Sequence, residues 1–126
     1  MTAKILVADD SATMRMIVRA ALAGAGWEVV TAGNGQEALE LAGQHDIHLV
    51  VSDWNMPVMG GLDLIRGLRE QERYFDVPVL VLTTEDDVDS KTAARDLGVC
   101  GWLNKPVDPE TLVDLAAELL DEQPPV

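Results

Sequence analysis

The chain has 126 residues, of which 48% are hydrophobic and 25% are charged, and its formal net charge is −13. This length fits one compact domain. No apolar run approaches the roughly 18 residues of a membrane span, and no signal-peptide pattern opens the sequence. We therefore expect a cytoplasmic protein. The excess of acid repels phosphate backbones and anionic lipid head groups, so binding to nucleic acid or to membranes is not expected.

Five short apolar segments alternate along the chain with five longer amphipathic ones. The apolar segments predict strands at residues 5–8, 27–31, 49–52, 79–83 and 99–103. The amphipathic segments repeat apolar residues at helical spacing and predict helices at residues 11–23, 35–42, 62–74, 88–97 and 109–120. Two prolines stand near the end of the sequence, so residues 123–126 are expected to form a frayed tail.

The chain has one cysteine, Cys100, which excludes an internal disulfide and a cysteine-based metal cluster. Because Cys100 lies in the apolar segment from Val99 to Leu103, we expect a buried structural thiol.

The order of these segments predicts an α/β fold. The first, third and fourth predicted strands are almost continuously apolar, which is typical of strands buried on both faces of a parallel sheet. Right-handed crossovers between such strands leave few topologies. For five strand–helix units we expect a flavodoxin-like (βα)5 doubly wound parallel sheet of five strands in the order 2-1-3-4-5, formed by a single domain over residues 1–126.

Polar residues stand at the carboxyl ends of four predicted strands. Asp9 and Asp10 follow the first strand, Asp53 follows the third, Thr83 ends the fourth and Lys105 lies just beyond the fifth. Parallel strands present their carboxyl ends at one edge of a sheet, where ligands bind near the point at which the strand order reverses. We therefore expect these five side chains to converge on one polar pocket.

Three carboxylates in one pocket repel one another, and a hard divalent cation removes that repulsion. Mg²⁺ suits the set because it takes oxygen ligands and is commonly held by one or two carboxylates together with a phosphate. The predicted ligands are the carboxylates of Asp9, Asp10 and Asp53, with the backbone carbonyl of Asn55 as a further one. The sequence thus predicts a magnesium site.

The remaining pocket residues fit the transfer of a phosphoryl group. Lys105 offers a compact cation and Thr83 a hydroxyl, which can stabilise the phosphoryl oxygens while an unprotonated carboxylate attacks in line. Asp53 is the candidate nucleophile, because it stands alone at the end of the central strand. Pro57 and the Gly60–Gly61 pair favour a sharp turn that leaves this carboxylate facing solvent.

The motifs VADDSATMR, SDWNMPVMGG, VLTTE and GWLNKP, in this order and spacing, resemble the response-regulator receiver domain, and in particular its single-domain members of the chemotaxis type. The resemblance covers the whole chain. It implies a switch that accepts a phosphoryl group on Asp53 from the phosphohistidine of a sensor histidine kinase. It also implies that Mg²⁺ is bound by Asp9 and Asp10 and by the backbone carbonyl of Asn55.

The same resemblance implies roles for three further residues. Thr83 would bind the phosphoryl group and move on activation. Lys105 would pair with the phosphate, usually with a cis peptide bond to the following proline, here Pro106. Trp102 stands three residues before that lysine, where the family carries an aromatic residue that rotates inward as the threonine shifts.

A receiver of this kind would catalyse only its own phosphorylation and dephosphorylation and would have no output domain. Its output would be a changed surface at the fourth helix, the fifth strand and the fifth helix, where a downstream protein target docks. We expect a monomer, with dimerisation on phosphorylation as the alternative. Chemotaxis is the first pathway that the resemblance suggests.

Three departures from the family pattern bear on this interpretation. Gly60 stands where the family often has aspartate, which would loosen the loop after Asp53. Trp102 is bulkier than the usual tyrosine or phenylalanine. The fourth helix is preceded by Glu85, Asp86 and Asp87, whereas chemotaxis receivers are basic there, so a flagellar motor partner does not follow from the resemblance.

Two other functions compete with the switch. A magnesium-dependent phosphohydrolase of the haloacid-dehalogenase type also uses an aspartate nucleophile, but usually has a second acid two residues later, where this chain has Asn55. A flavodoxin-like electron carrier shares the predicted fold, but its first loop is rich in Ser, Thr and Gly, whereas this one opens with Asp9 and Asp10.

Overall fold

The computed structural model describes residues 2–121, in which strands and helices alternate along the chain. The predicted frayed tail at 123–126 lies outside the described residues. The strands are β1 (Lys4–Ala8), β2 (Glu28–Ala32), β3 (Leu49–Ser52), β4 (Val79–Thr83) and β5 (Gly101–Asn104). The helices are α1 (Ala12–Gly24), α2 (Gly35–Gln44), α3 (Gly61–Arg69), α4 (Val88–Asp96) and α5 (Pro109–Asp121), with a short 3₁₀ helix at Glu72–Tyr74.

All strand pairs of the sheet are parallel, and the strands lie in the order β2-β1-β3-β4-β5. The predicted flavodoxin-like (βα)5 fold and strand order are confirmed. The chain leaves β1 towards β2 on one side and returns to place β3 on the other side. The strand order therefore reverses between β1 and β3, and this is the point at which open α/β sheets bind ligands.

The three central strands are buried on both faces, as their apolar runs predict. Every residue of β3 and β4 is buried, and so is every residue of β1 except Lys4. Alternate residues of each strand contribute to two hydrophobic clusters, one on each face of the sheet. Helices α1 and α5 cover one cluster, and α2, α3 and α4 cover the other.

The expectation of one helix over residues 62–74 is wrong. Helix α3 ends at Arg69, and the chain turns before the 3₁₀ helix. The break carries Tyr74 beneath the end of α2, where its buried hydroxyl lies 2.6 Å from the carbonyl oxygens of both Ala42 and His45 and accepts from the N–H of Ile47 at 3.3 Å. A buried hydroxyl requires hydrogen-bond partners, and the break in the helix places Tyr74 where it finds them.

The expectation of a buried Cys100 is also wrong, because this thiol is exposed. Residue 100 precedes β5, which begins at Gly101 rather than at Val99, and β5 is an edge strand. The backbone N–H of Cys100 still donates to the carbonyl of Val79 at 2.8 Å. An edge position leaves one side of the chain uncovered, so apolar neighbours do not guarantee burial.

Helix α4 packs less deeply than the other helices of its layer. Its one buried residue among the described ones is Ala94. Arg69 binds the C-terminal end of α4 through two hydrogen bonds. Its Nε donates to the carbonyl of Leu97 at 2.8 Å, and its Nη2 donates to the carbonyl of Gly98 at 3.4 Å. The same guanidinium donates to the carbonyls of Tyr74 and Val77, at 3.0 and 2.8 Å. Burial lowers the pKa of Arg69, although negative charges nearby oppose that change.

None of the helices in the described part of the chain combines the length and the apolar character that crossing a membrane requires.

Candidate functional site

Asp9, Asp10 and Asp53 form an acidic cluster where the strand order reverses. One carboxylate oxygen from each residue lies within 4.8 Å of the other two. Asp9 and Asp53 are 3% and 7% exposed, whereas Asp10 is exposed to solvent. The expectation that the carboxylate of Asp53 faces solvent is therefore wrong, because the loop after β3 and Lys105 cover it. A buried carboxylate is costly unless it is paired with a cation or hydrogen-bonded.

Lys105 supplies the pairing charge. Its Nζ donates to Oδ2 of Asp9 at 2.7 Å and to Oδ2 of Asp53 at 2.9 Å, and all three side chains are largely buried. Burial of the ammonium lowers the pKa of Lys105, but the hydrogen bonds and negative charges of the two carboxylates outweigh it, so that this pKa lies above its ordinary value. The Lys105–Pro106 peptide bond is cis, as the family resemblance implies.

The backbone after β3 fixes the orientation of Asp53. Its N–H donates to the carbonyl of Ala8 in β1 at 2.8 Å. Its Oδ1 accepts from the N–H of Trp54 at 2.6 Å and, over a longer distance of 3.4 Å, from that of Asn55. One carboxylate oxygen is thus held by the loop and the other by Lys105.

This loop closes tightly onto the start of α3. The N–H of Gly61 donates to the carbonyl of Trp54 at 2.8 Å, although Gly60 provides no side-chain cap for the helix. Val58, at the tip of the loop, has a φ of 67° and is 77% exposed, an unfavourable conformation for a β-branched residue. A Cβ added to Gly61 would lie 2.4 Å from the carbonyl oxygen of Asp53. Gly61 therefore permits a close approach that no larger residue allows.

We expect Gly61→Ala to lower the free energy of unfolding by about 2 kcal/mol, because the backbone of Asp53 must shift to admit the methyl group. Gly43→Ala is the matched control: it lies exposed in α2, where an added Cβ has no atom within 4 Å, and it should raise that free energy by about 0.5–1 kcal/mol. Urea unfolding of the three proteins measures both effects. Equal stability of the Gly61→Ala variant and the natural chain would contradict this account of the loop.

Glu85 connects the Asp53 loop with β4 and β5. Its side chain accepts from Asn55 Nδ2 at 3.1 Å, its N–H donates to Oγ1 of Thr83 at 3.1 Å, and its carbonyl accepts from Nε1 of Trp102 at 3.1 Å. Thr83 is fully buried at the end of β4. One residue therefore joins the two predicted switch positions through hydrogen bonds.

The ring of Trp102 packs against that of Trp54, with centroids 5.2 Å apart and planes tilted by 57°. This arrangement lies within the favourable range for aromatic pairs. Trp102 is partly buried in this orientation, so the bulkier side chain is accommodated beside the loop that follows Asp53.

The five side chains expected in one pocket come from strand ends at this edge of the sheet, but the sequence pattern does not indicate two of the contacts that support them. Arg15 in α1 donates from Nη1 to the carbonyl of Asp9 at 2.6 Å, and nothing in the spacing of the motifs indicates this contact. The pairing of Trp54 with Trp102 was also missed. The one available signal is that Trp54 stands two residues after the end of a buried strand.

The donor set fits a magnesium ion. Three carboxylates can each direct an oxygen at one point, and the set contains neither sulfur nor imidazole. The exposed position of Asp10 leaves room for the water ligands that Mg²⁺ keeps. The proposed ligand role of the Asn55 carbonyl stays a prediction.

A family model described as the response regulator receiver domain matches residues 5–117 of the chain. The chain is 40% identical to the chemotaxis protein CheY1 of Helicobacter pylori over 111 residues, which cover 86% of this chain and 90% of that protein. It is 35% identical to the chemotaxis protein CheY of Pseudomonas aeruginosa over 119 residues, covering 94% and 96% of the two chains.

Solved structures give the same result. The chain resembles the chemotaxis protein CheY4 of Vibrio cholerae with a TM-score of 0.89 and 40% identity, covering 94% of this chain and 99% of that one. A response regulator protein from Burkholderia multivorans is 48% identical, with a TM-score of 0.79 and coverage of 100% and 99%. Nothing in these comparisons supports the phosphohydrolase alternative.

Proposed function

The chain belongs to the response regulator receiver domain family, and on this premise we propose that it is a phosphorylation switch of a two-component phosphorelay, with Asp53 as the residue that accepts the phosphoryl group. The observation that carries the proposal is the joining of Asp53 to Asp9 through the ammonium of Lys105 beside the exposed Asp10. A purely structural salt bridge would not require a third carboxylate at the same point.

Asp53 is suited to nucleophilic attack. An oxygen of its carboxylate attacks the phosphorus of a phosphohistidine, the phosphorus–nitrogen bond breaks, and the imidazole leaves with the electron pair of that bond. The loop holds Oδ1 through the N–H of Trp54, and Lys105 holds Oδ2. The nucleophile is therefore oriented before its substrate arrives, which removes part of the entropic cost of reaction.

Asp9, Asp10 and Asp53 would hold the magnesium ion, with the carbonyl of Asn55 as a further ligand. When bound, the ion neutralises charge that develops on the phosphoryl oxygens. One oxygen from each carboxylate lies within 4.8 Å of the other two, so these residues would hold the ion at the end of the sheet that Asp53 occupies.

Lys105 and Thr83 would receive the transferred group. The ammonium of Lys105 can move from the carboxylate oxygens to a phosphoryl oxygen, because both kinds of oxygen are anionic acceptors and the lysine side chain is flexible. The hydroxyl of Thr83, which accepts from the N–H of Glu85, can donate its own hydrogen to the phosphate. A movement of Thr83 towards the phosphate would shift Glu85 and so alter the hydrogen bond between Glu85 and Trp102, which lies in β5.

The output surface would be the α4–β5–α5 face. Between α4 and β5 lies a groove of about 370 Å³, lined by residues that include Val88, Lys91, Arg95, Val99 and Trp102. Trp102 both lines this groove and donates from its Nε1 to the carbonyl of Glu85, so a change at Thr83 can alter the surface that a downstream protein contacts.

We propose a sensor histidine kinase as the phosphoryl donor and a monomer as the resting form.

Chemotaxis is the pathway that we propose, because the similar proteins from Helicobacter pylori and Pseudomonas aeruginosa are chemotaxis proteins. The acidic residues Glu85, Asp86 and Asp87 precede α4, so the downstream target need not be the one that those proteins contact.

Incubation of the purified chain with Mg²⁺ and acetyl phosphate should add the mass of one phosphoryl group, and the bond should be labile to hydroxylamine as acyl phosphates are. Omission of Mg²⁺ should suppress the reaction. Multiple turnovers of a phosphomonoester without a lasting protein-bound phosphate would contradict the proposal and favour a hydrolase.

A further inference from the structure

Arg15 makes a contact that the proposed chemistry does not use. It lies in α1 and is half-buried, and its Nη1 donates to the backbone carbonyl of Asp9 at 2.6 Å. Arg15 also passes close to Gly33, where an added Cβ would lie 3.5 Å from the same Nη1. The guanidinium is therefore enclosed between the turn after β1 and the turn after β2.

Asp9 is bonded at each of its polar atoms. Its N–H donates to the carbonyl of Ala32 at 3.0 Å, its Oδ1 accepts from the N–H of Ser11 at 2.9 Å, and its Oδ2 accepts from Lys105 at 2.7 Å. Arg15 supplies the partner of the remaining atom, the carbonyl oxygen. That carbonyl belongs to the peptide group that joins Asp9 to Asp10, so the orientation of this peptide group influences the direction in which the Asp10 side chain extends.

We propose that Arg15 is a positioning residue for the divalent cation site, which it supports by holding the Asp9–Asp10 peptide in the orientation that directs both carboxylates at one point. This inference rests on the proposed function, because it assumes that the acidic cluster binds Mg²⁺. Arg15 contacts no predicted ligand atom. It acts through the backbone of one ligand.

The physical basis is preorganisation. Asp10 is exposed, so its carboxylate has few other constraints, and a rotation of the preceding peptide would move it away from Asp9 and Asp53. If Arg15 does not fix that peptide, binding of the ion must order it, and the cost appears as weaker affinity. Loss of groups that orient metal ligands typically weakens metal binding by 10- to 100-fold.

The positive charge of Arg15 weakens metal binding, whereas its positioning of the peptide strengthens it. A cation near the cluster repels Mg²⁺, so removing it without any change of geometry would strengthen metal binding. Positioning and simple repulsion therefore predict opposite directions for the same substitution, and a measured dissociation constant separates them.

The experiment titrates Mg²⁺ against the tryptophan fluorescence of the full chain, since Trp54 adjoins Asp53, and repeats the titration with three variants. For Arg15→Met we expect the dissociation constant of Mg²⁺ to rise about tenfold. Arg15→Lys keeps the charge and can restore one hydrogen bond, so it should lie between the natural chain and Arg15→Met. Arg19→Met is the matched control, because Arg19 is exposed one turn further along α1. It should change the dissociation constant less than twofold.

Unfolding by urea in EDTA shows whether each variant folds without the metal. If Arg15→Met does not fold, the comparison of Arg15→Lys with the natural chain decides, with about threefold weaker Mg²⁺ binding expected. Unchanged or tighter binding by the folded Arg15 variants would overturn the positioning role, and so would equal weakening by Arg19→Met. Absence of any Mg²⁺ response in the natural chain would instead overturn the proposed magnesium site.

Discussion

Asp53→Asn should abolish the incorporation of a phosphoryl group from acetyl phosphate, with a loss of initial rate on the order of 10³-fold or more, because an amide oxygen is a poor nucleophile and leaves no stable acyl phosphate. Intact-protein mass spectrometry in the presence of Mg²⁺ measures the result. The fluorescence response to beryllofluoride, a mimic of the bound phosphoryl group, should disappear in the same variant.

Asp63→Asn is the matched control for this substitution. It removes the same charge from an exposed residue of α3, which pairs with Arg66 at 3.6 Å on the protein surface. Phosphorylation of this control should equal that of the natural chain. Undiminished phosphorylation and fluorescence of Asp53→Asn would show that Asp53 is not the acceptor.

Lys105→Met should lower the free energy of unfolding by about 3 kcal/mol in metal-free solution, because the buried carboxylates of Asp9 and Asp53 lose their shared cation. Saturating Mg²⁺ should restore most of this loss. The ion would replace the missing charge, and the ammonium would no longer compete with it for the same oxygens. Urea unfolding with EDTA and with Mg²⁺ checks both statements, and equal destabilisation in the two buffers would contradict them.

Lys105→Arg separates charge from shape. A guanidinium keeps the positive charge, so this variant should retain more stability than Lys105→Met. Its planar fork cannot replace a compact ammonium against a phosphoryl oxygen, and the response to phosphorylation should be lost. A normal fluorescence response to beryllofluoride in Lys105→Arg would count against the role proposed for Lys105.

The pH dependence of stability should follow the raised pKa of Lys105. The folded chain holds this proton more tightly than the unfolded chain does, so the contribution is complete at neutral pH, below the ordinary lysine pKa of about 10.4. It is lost only as the pH rises through the higher folded value. The difference in stability between the natural chain and Lys105→Met should therefore stay constant near neutral pH and narrow in strongly alkaline solution.

The fold could be predicted because the information that determines it is local and repeated. The run Leu49–Val51 is apolar throughout, which indicates a strand buried on both faces, and the order of five such units leaves one natural topology. The acidic cluster followed from the same reasoning, because parallel strands deliver their last residues to one edge. Asp9 and Asp53 needed no further signal.

The features that the sequence pattern does not indicate depend on how the folded elements pack against one another. The apolar spacing of Leu64, Ile65 and Leu68 continues the helical pattern, and nothing local indicates that Tyr74 must reach carbonyls about 30 residues away. The apolar neighbours of Cys100 predict burial, but its exposure depends on the edge position of β5. The contact between Arg15 and Asp9 likewise exists only once α1 has folded back over the end of β1.

The two ends of α4 are attached to the rest of the protein in different ways. Arg69 donates to the carbonyls of Leu97 and Gly98 at the C-terminal end of this helix, whereas Glu85, which precedes the helix, contacts Asn55 and Trp102. If those bonds rearrange, the helix should swing about its C-terminal end. Over nine residues it is about 13 Å long, so a rotation of about ten degrees carries its start through about 2 Å. A rotation of that size would change the surface of the protein at Val88.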